Sequence, residues 1–564
     1  MIRDSINALK KKFKDYQIDG YIIPKNDNYF SEYASNDRLK KITKFSGSAG
    51  IAVILKKINY LFVDGRYTLQ ANQESSKYFR IIEIHKKFPN KIIKNLKLGY
   101  DPSLFTRNTL KKYFSNNNVV AINNNLIDQI FKFNKIKTKP FFSLNKKVVG
   151  ESHHSKISKV VEFIKSNNAD YLFVSAPENV AWLLNIRGYD SPISPIPNAR
   201  LIINKNKKIY LITEKSKAKT IIKEKKINSK YIIDENNLSN LFYQLEEGTF
   251  IIDNKSCSTL YENIIKKRFK LLRIDDPIYK LKSIKNEHEI KHMIEAHKKD
   301  GLALTKFIYW IKNINKKTIT EVQAQNRLER FRKLNRAYLF PSFNTIAGAG
   351  ANGAIVHYRA EPKNTKKIKK KDLLLVDSGG QYKYGTTDVT RTICFSRQKK
   401  SVVNAYTNVL KGHIAVIQTN LNKINTGKKI DIRARKFLKK AGLDYAHGTG
   451  HGVGFFLNVH EGPQSISKHN SIKLTKGMIL SNEPGFYKKG HFGIRIENLV
   501  YVKKLKKKLL FENFTLAPIE KDLINYKLLS KTEKDYLFRY HLKIYSEYSS
   551  SLNKNERRWL ASLI

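Results

Sequence analysis

Residues 372–392 read DLLLVDSGGQYKYGTTDVTRT, and the fold turns on this stretch. Leu373–Val376 is a continuous apolar run of the kind that forms a strand buried on both faces, and it gives out at Asp377 into Ser-Gly-Gly. Eleven residues later Asp388 lies on a second, Thr/Val-rich strand, and the Gly- and Tyr-rich connection permits a hairpin that brings the two carboxylates together. A carboxylate at the end of a buried strand is costly unless paired or bound to metal. Two facing Asp repel strongly unless a cation lies with them.

The same chemistry recurs downstream. His447–His451 (HGTGH) supplies imidazoles in a glycine-rich loop, where backbone can approach a ligand closely. His460 follows in Asn458–Pro463 (NVHEGP), and Met478–Gly485 (MILSNEPG) ends another apolar strand on Glu483. Phe492–Val500 (FGIRIENLV) reads as one strand with Glu497 and Arg495 on the same face by the period-two rule. Two Asp, one or more His and two Glu near apolar strand ends make the ligand set of a carboxylate-rich dinuclear metal site.

The rest of the chain bounds this reading. Its 564 residues exceed the roughly 250–300 at which single cores stop growing, so about three domains are expected. The composition is that of a folded globular protein. No stretch approaches the roughly 18 apolar residues of a membrane helix, and charges are scattered through Met1–Asn26 where a signal peptide would be apolar. Two cysteines, Cys257 and Cys394, cannot form a disulfide framework and suggest a reducing, cytoplasmic compartment. The net charge of +58 raises the question of nucleic acid or a membrane surface. Lysine, however, is spread over the whole length, and the runs Lys366–Lys371 and Lys503–Lys508 sit between apolar strands as solvated loops. No nucleic-acid and no membrane partner is expected.

An internal similarity recurs at a separation of about 150 residues. Asp19–Pro24 (DGYIIP) resembles Asp170–Val174 (DYLFV), Ile51–Leu55 is answered by Leu201–Asn204, and Tyr60–Asp64 by Ile209–Thr213. Short β-rich runs alternating with amphipathic stretches such as Ile157–Ile164 indicate two related α/β domains, residues 1–145 and 146–285. A long amphipathic helix, Asn286–Ile311, opens a third domain over 286–505, and residues 506–564 form a C-terminal extension with helices at Lys531–Tyr548 and Asn555–Ile564.

Three motif matches are set aside. Gly348–Gly353 (GAGANG) fits the dinucleotide fingerprint, but Ala354–Tyr358 after it reads as a strand where that motif needs a helix. Gly450–Gly454 lacks the Lys-Ser/Thr of a phosphate loop. His288–His292 (HEIKH) fits the zincin signature, yet Ile290, Met293, Ile294 and His297 form the apolar stripe of that helix and place both His toward solvent.

The succession DSG…TTDVTRT, HGTGHGVG, EPG and IRIEN resembles the pita-bread metallopeptidases, specifically the aminopeptidase P (Xaa-Pro aminopeptidase) family. The resemblance covers the whole chain. Ser46–Gly50 (SGSAG), Asp64–Tyr67 (DGRY) and Asn179–Gly188 (NVAWLLNIRG) look like the two creatinase-type N-terminal domains of the long, three-domain subtype. Phe511–Ile519 (FENFTLAPI), Tyr540-His541-Leu542 and the nine-residue step from His451 to His460 are similar to that subtype too. The implied fold is α/β (α+β): two creatinase-type domains, a pita-bread catalytic domain and the extension.

Residue by residue, the resemblance implies that Asp377, Asp388, His451, Glu483 and Glu497 are metal ligands, with Asp388 and Glu497 contacting both of two divalent ions. His357, in Val356–Arg359 (VHYR), His447 and His460 match the family's substrate-binding and proton-handling histidines, and Glu483 is also the expected proton carrier. The implied activity is release of an N-terminal residue when the next is proline, by attack of a hydroxide bridging the two ions. Four carboxylates to one imidazole favour a hard ion, Mn²⁺ first. Arg495 is expected to orient a carboxylate, and Tyr189-Asp190 falls where the long subtype lends a substrate contact. A homodimer is implied as well. Two alternatives stay open, a prolidase cleaving Xaa-Pro dipeptides and a noncatalytic pita-bread module binding nucleic acid.

Overall fold

Side chains alternate along Gly20–Pro24 in a way that explains the first layers. Tyr21 and Ile23 enter one buried cluster with Ile54 and Leu61, while Ile22 enters another with Val53 and Phe62. This is the pattern of a strand covered on both faces. The computed structural model describes residues 2–34, 36–133, 139–314 and 319–564, and the chain divides into two compact units, Met1–Tyr279 and Lys280–Ile564.

The first unit holds two six-stranded mixed sheets. In one, β1 (Gly20–Pro24), β2 (Ile51–Leu55), β3 (Asn59–Val63), β4 (Arg80–Glu83), β5 (Lys97–Tyr100) and β6 (Asn118–Ala121) lie in the order β4-β3-β2-β1-β5-β6. Short strands β7 (Phe142–Ser143) and β9 (Ile186–Arg187) pair with each other. The second large sheet takes β8 (Tyr171–Val174), β10 (Arg200–Asn204), β11 (Ile209–Ile212), β12 (Ile232–Ile233), β13 (Thr249–Ile252) and β14 (Lys270–Arg273) in the order β12-β11-β10-β8-β13-β14. Strand directions match too: β1/β2 and β8/β10 are antiparallel, β1/β5 and β8/β13 parallel.

The repeat read from the sequence is therefore a repeat of topology, and it extends to side chains. Asp19 pairs with Lys56 at 2.7 Å and accepts the Lys97 N–H at 3.0 Å. At the equivalent place Asp170 pairs with Lys205 at 2.7 Å and accepts the Thr249 N–H at 2.9 Å. Arg200 joins the two sheets, its guanidinium lying 4.2 Å from the Tyr29 ring and 4.4 Å from the Tyr261 ring.

The second unit opens with the helix Glu287–Asn313, whose Asn286 N-cap and Glu289 form a reciprocal capping box. Leu304, Phe307, Ile308 and Ile311 make its apolar stripe and pack on Leu328 of the helix Glu321–Lys333 and on Leu374, Val376, Val389 and Ile393. Next come β15 (Tyr338–Pro341), β16 (Ile346–Ala349), β17 (Leu373–Ser378), β18 (Gly380–Tyr382), β19 (Gly385–Thr386) and β20 (Val389–Cys394). Antiparallel sheets form in the orders β16-β17-β20 and β15-β18-β19. After the helices Lys400–Ile417 and Gly427–Lys440 follow β21 (Gly450–Gly452), β22 (Glu461–Ile466), β23 (Ile479–Asn482), β24 (Gly485–Lys488), β25 (Phe492–Arg495), β26 (Asn498–Leu505) and β27 (Lys508–Asn513). They build a sheet in the order β22-β21-β23-β26-β27 and the hairpin β24/β25. The C-terminal helix Lys531–Tyr548 buries Leu537, Tyr540 and Ile544 against Tyr406, Val409 and Leu410.

Two local expectations change. Ala354–Tyr358 is no strand: Gly350–Ala354 is a 3-10 turn, begun by Gly350 at a φ of +55°. An added Cβ on Gly493 would lie 1.8 Å from the Gly353 oxygen, so this turn packs its backbone directly on β25. Phe492–Val500 is likewise not one strand, because the chain leaves β25 after Arg495 and re-enters β26 at Asn498. Glu497 sits in that break, its N–H donating to the Thr390 oxygen at 3.1 Å.

Candidate metal centre

β17 and β20 pair with Asp377 opposite Thr390 and Ser378 opposite Val389, which leaves Asp388 at the mouth of the hairpin beside Asp377. From the other sheet, β21 carries His451, β23 ends one residue before Glu483, and the break before β26 carries Glu497. One ligand atom each of Asp388, His451 and Glu497 lie within 4.8 Å of one another. His451 Nε2 is 3.4 Å from Asp388 Oδ2 and 3.5 Å from Glu483 Oε1.

The surroundings fix what these groups present. His451 Nδ1 lies 2.9 Å from the Gly452 carbonyl, which can only accept, so Nδ1 carries a proton and Nε2 is the ring nitrogen turned to the carboxylates. Ser481 Oγ–H donates to Glu483 Oε1 at 3.0 Å, and Thr390 Oγ1–H to Glu497 Oε2 at 2.7 Å. Arg495 donates to Asp377 Oδ2 at 2.5 Å, while Asp377 Oδ1 is buried with no hydrogen-bond partner among the described residues. Burial, then Asp377, pushes the Asp388 carboxyl well above its ordinary range, and burial, then Asp388, does the same to Glu497. Burial also raises Asp377 against the pull of Arg495. At Glu483 burial is outweighed by His451, His447 and Arg495, which hold its carboxyl below its usual value.

Four carboxyl groups, three buried and Glu483 half-buried, crowd round one guanidinium. Burial and this crowding push the ionisation of Asp388 and Glu497 out of its ordinary range, and Asp377 Oδ1 is left with no donor among the described residues. An oxygen-rich donor set with a single imidazole lone pair fits a pair of divalent cations. Asp377, Asp388, His451, Glu483 and Glu497 are the residues that could hold them.

The three remaining histidines stand differently. His460 sets its ring edge on to His451, with centroids 4.3 Å apart. His357 follows the Gly350–Ala354 turn, and the neighbouring Val356 carbonyl lies 3.5 Å from both terminal nitrogens of Arg495. His447 donates from Nδ1 to the Gly448 carbonyl at 2.7 Å and accepts at Nε2 from Tyr487 O–H at 2.9 Å. Burial depresses His447 to about 4, so it is neutral, with Nδ1 4.0 Å from Glu483 Oε2.

Tyr487 is a residue the sequence did not single out. Its oxygen takes a hydrogen bond from Arg495 at 2.6 Å and passes one to His447, linking Asp377 to the histidine loop. Arg391, also unread, donates to the Glu497 carbonyl at 2.7 Å, to the Ala517 carbonyl at 2.8 Å and to Tyr540 Oη at 3.0 Å. Through it the helix Lys531–Tyr548 braces the backbone that carries Glu497. Its only advance signal was an arginine inside an otherwise Thr/Val strand.

Elsewhere, His288 is exposed as expected, but His292 is half-buried, its ring 5.4 Å from that of Tyr384. The stripe argument fails for His292 because β19 and the Tyr384 loop pack on that flank of the helix. Asp190 is buried and paired with Lys217 at 2.9 Å, and Tyr189 stacks on Phe142 at 5.2 Å, all within the first unit.

Comparison with known proteins agrees in extent. Residues 291–504 match metallopeptidase family M24, residues 6–130 and 134–289 match creatinase/prolidase N-terminal domains, and residues 507–563 match the C-terminal region of peptidase M24. The chain is 35% identical over 598 residues to a probable Xaa-Pro aminopeptidase P of Laccaria bicolor, spanning 99% of this chain and 92% of that one. It is 35% identical over 593 residues to Xaa-Pro aminopeptidase 1 of Dictyostelium discoideum, spanning 96% and 92%. The crystal structure of the X-prolyl aminopeptidase of Caenorhabditis elegans, a cytosolic enzyme with a di-nuclear active site, superposes with a TM-score of 0.91 at 27% identity over 100% of this chain and 99% of that one. The prolidase of Pyrococcus furiosus aligns 99% of its length to only 64% of this chain, with a TM-score of 0.51 at 25% identity. With an M24 domain behind two creatinase-type domains and 35% identity to Xaa-Pro aminopeptidases over nearly its whole length, the chain belongs to the long, three-domain aminopeptidase P group of metallopeptidase family M24.

Proposed function

We propose that this protein is a metal-dependent aminopeptidase that removes the first residue from peptides with proline second. The observation that carries the reading is the convergence of Asp388, His451 and Glu497 within 4.8 Å, flanked by Asp377 and Glu483. In this reading these five side chains hold two divalent ions, and the oxygen-rich set favours Mn²⁺. When bound, two such ions polarise the scissile carbonyl and acidify water.

The chain's own groups supply the rest. Glu483, whose carboxyl is held below its usual value, accepts a proton and delivers it to the departing proline nitrogen. His460 and His357 donate hydrogen bonds to the substrate backbone and to the developing oxyanion. Neutral His447, fixed by the Gly448 carbonyl and the Tyr487 hydroxyl, holds its ring beside Glu483, with Nδ1 4.0 Å from Oε2. Arg495 orients Asp377, and the acidic site receives the protonated amino terminus of the peptide. The reading extends to a cytoplasmic homodimer without nucleic-acid or membrane partners. A cytosolic relative supports the location, and among the described residues no helix is long and apolar enough to cross a membrane.

The test is hydrolysis of an Xaa-Pro-Xaa tripeptide by EDTA-stripped protein with and without Mn²⁺, against an Xaa-Ala-Xaa control and an Xaa-Pro dipeptide. Mn²⁺-dependent release of the first residue from the proline tripeptide is expected. Cleavage of the dipeptide alone would make the protein a prolidase, and no cleavage with any divalent ion would sink the catalytic reading.

A further inference from the structure

Glu321 is fully buried in the first turn of the helix Glu321–Lys333, and its carboxylate is spent entirely on one loop. Oε1 accepts the Ala349 N–H at 2.7 Å and Asn352 Nδ2 at 2.9 Å. Oε2 accepts the Lys366 N–H at 2.9 Å, Tyr358 O–H at 2.9 Å and Asn352 Nδ2 at 3.2 Å. Three of these donors fall at the end of β16, inside the Gly350–Ala354 turn and one residue past His357, and the fourth, Lys366, lies further along the same connection to β17. Tyr358 Oη in turn accepts from Asn352 at 2.9 Å, closing a ring of contacts across the turn. Burial, then the Glu321 charge, pushes the Tyr358 hydroxyl above its ordinary range, so it stays a donor near neutrality.

The loop so held is the one whose backbone packs on β25 and whose Val356 carbonyl faces Arg495. We propose that Glu321 is a positioning residue for His357: it fixes the 349–358 loop at both ends and so sets the place of the histidine beside the metal centre. This rests on the reading of His357 as a substrate-binding group. Glutamine cannot substitute for the carboxylate. Each oxygen meets a main-chain N–H, and the Glu321→Gln amide must turn its NH₂ toward one of them. Tyr358→Phe is the gentler probe, because it keeps the ring and removes only the hydroxyl that joins Glu321 to the residue after His357.

The experiment compares kcat, KM, bound metal and Tm of the Mn²⁺-loaded full chain as wild type, Glu321→Gln, Tyr358→Phe, His357→Ala, and each of the first two combined with His357→Ala. Since a misplacement of about 1 Å costs up to about 100-fold, both single variants are expected to lose about 10-fold or more in kcat/KM while keeping their metal. In the His357→Ala background the same changes are expected to cost less than about twofold, because the group they place is gone. Equal losses in both backgrounds, or losses that track metal content or Tm, would overturn the inference and leave His357 standing. A silent His357→Ala would overturn the reading of His357 itself, and this inference with it.

Discussion

Asp388 and Glu497 stand above the ordinary carboxylate range through burial and through the carboxylates beside them. A carboxyl whose folded-state pKa exceeds its unfolded one contributes stability below the unfolded value and loses it as pH rises through the folded value. Metal-stripped protein therefore loses stability through these two groups as the medium turns from acid to alkaline. Asp388→Asn, which cannot ionise, escapes its share. In the stripped state the variant is expected to melt above the wild type at about pH 8, the gap closing toward about pH 4. With metal added the order reverses at about pH 8, since the wild type binds ions that the variant loses along with its activity. Thermal melts with and without chelator measure both, and a gap that ignores pH would remove the titration account. Tyr487→Phe tests the link from Arg495 to His447: a loss of about 10–100-fold in metal affinity or turnover is expected, read by metal titration. At this scale the sequence was legible where a polar residue interrupts an apolar run, as at Asp377 and Glu483. It was silent on Tyr487, Arg391 and Glu321, whose meaning lies in partners 8, 106 and 28 residues away.

Among the elements, the β17/β20 hairpin was legible because β17 is a continuous apolar run that gives out into two glycines, and the helix from Glu287 because its apolar residues recur at helical spacing. The break between β25 and β26 was not: Phe-Gly-Ile-Arg-Ile-Glu-Asn alternates perfectly well as one strand. What divides it is tertiary, with Ile496 N–H turning to the Pro484 carbonyl and Glu497 N–H to Thr390. The Gly350–Ala354 turn was hidden in the same way, since its close approach to β25 depends on a distant glycine, Gly493, whose added Cβ would lie 1.8 Å from the Gly353 oxygen. The hairpin yields its own prediction. An added Cβ on Gly379 would lie 1.9 Å from the Thr387 oxygen, between the two aspartates. Gly379→Ala must therefore spread the hairpin, costing about 1–3 kcal/mol or more, and pull Asp377 from Asp388. A lowered Tm together with lost metal is expected. Lost stability with full metal content would show that the pair tolerates the shift.

At the scale of the whole molecule the conspicuous feature is charge, 106 Lys and Arg against 48 Asp and Glu. Ion pairs such as Lys56–Asp19 and Lys205–Asp170 neutralise few of the cations, and exposed pairs of this kind contribute only about 0–1 kcal/mol each. The unmatched lysines repel one another across the surface, which opposes the compact state. Salt shortens the reach of that repulsion from ~30 Å at 0.01 M to ~8 Å at 0.15 M. The same salt weakens the exposed pairs, so the two effects oppose, and net charge decides because the excess far exceeds what the pairs hold. Tm of the metal-loaded protein is therefore expected to rise between about 0.01 M and 0.15 M NaCl. kcat/KM for a neutral tripeptide is expected to change little, because the metal centre is buried and acidic while the excess charge is exposed. A Tm that falls with salt would mean that local pairs outweigh the global field. A steep salt dependence of binding to DNA, with slopes of several counterions, would instead give the lysines a partner and reopen the reading in which this fold serves as a binding module.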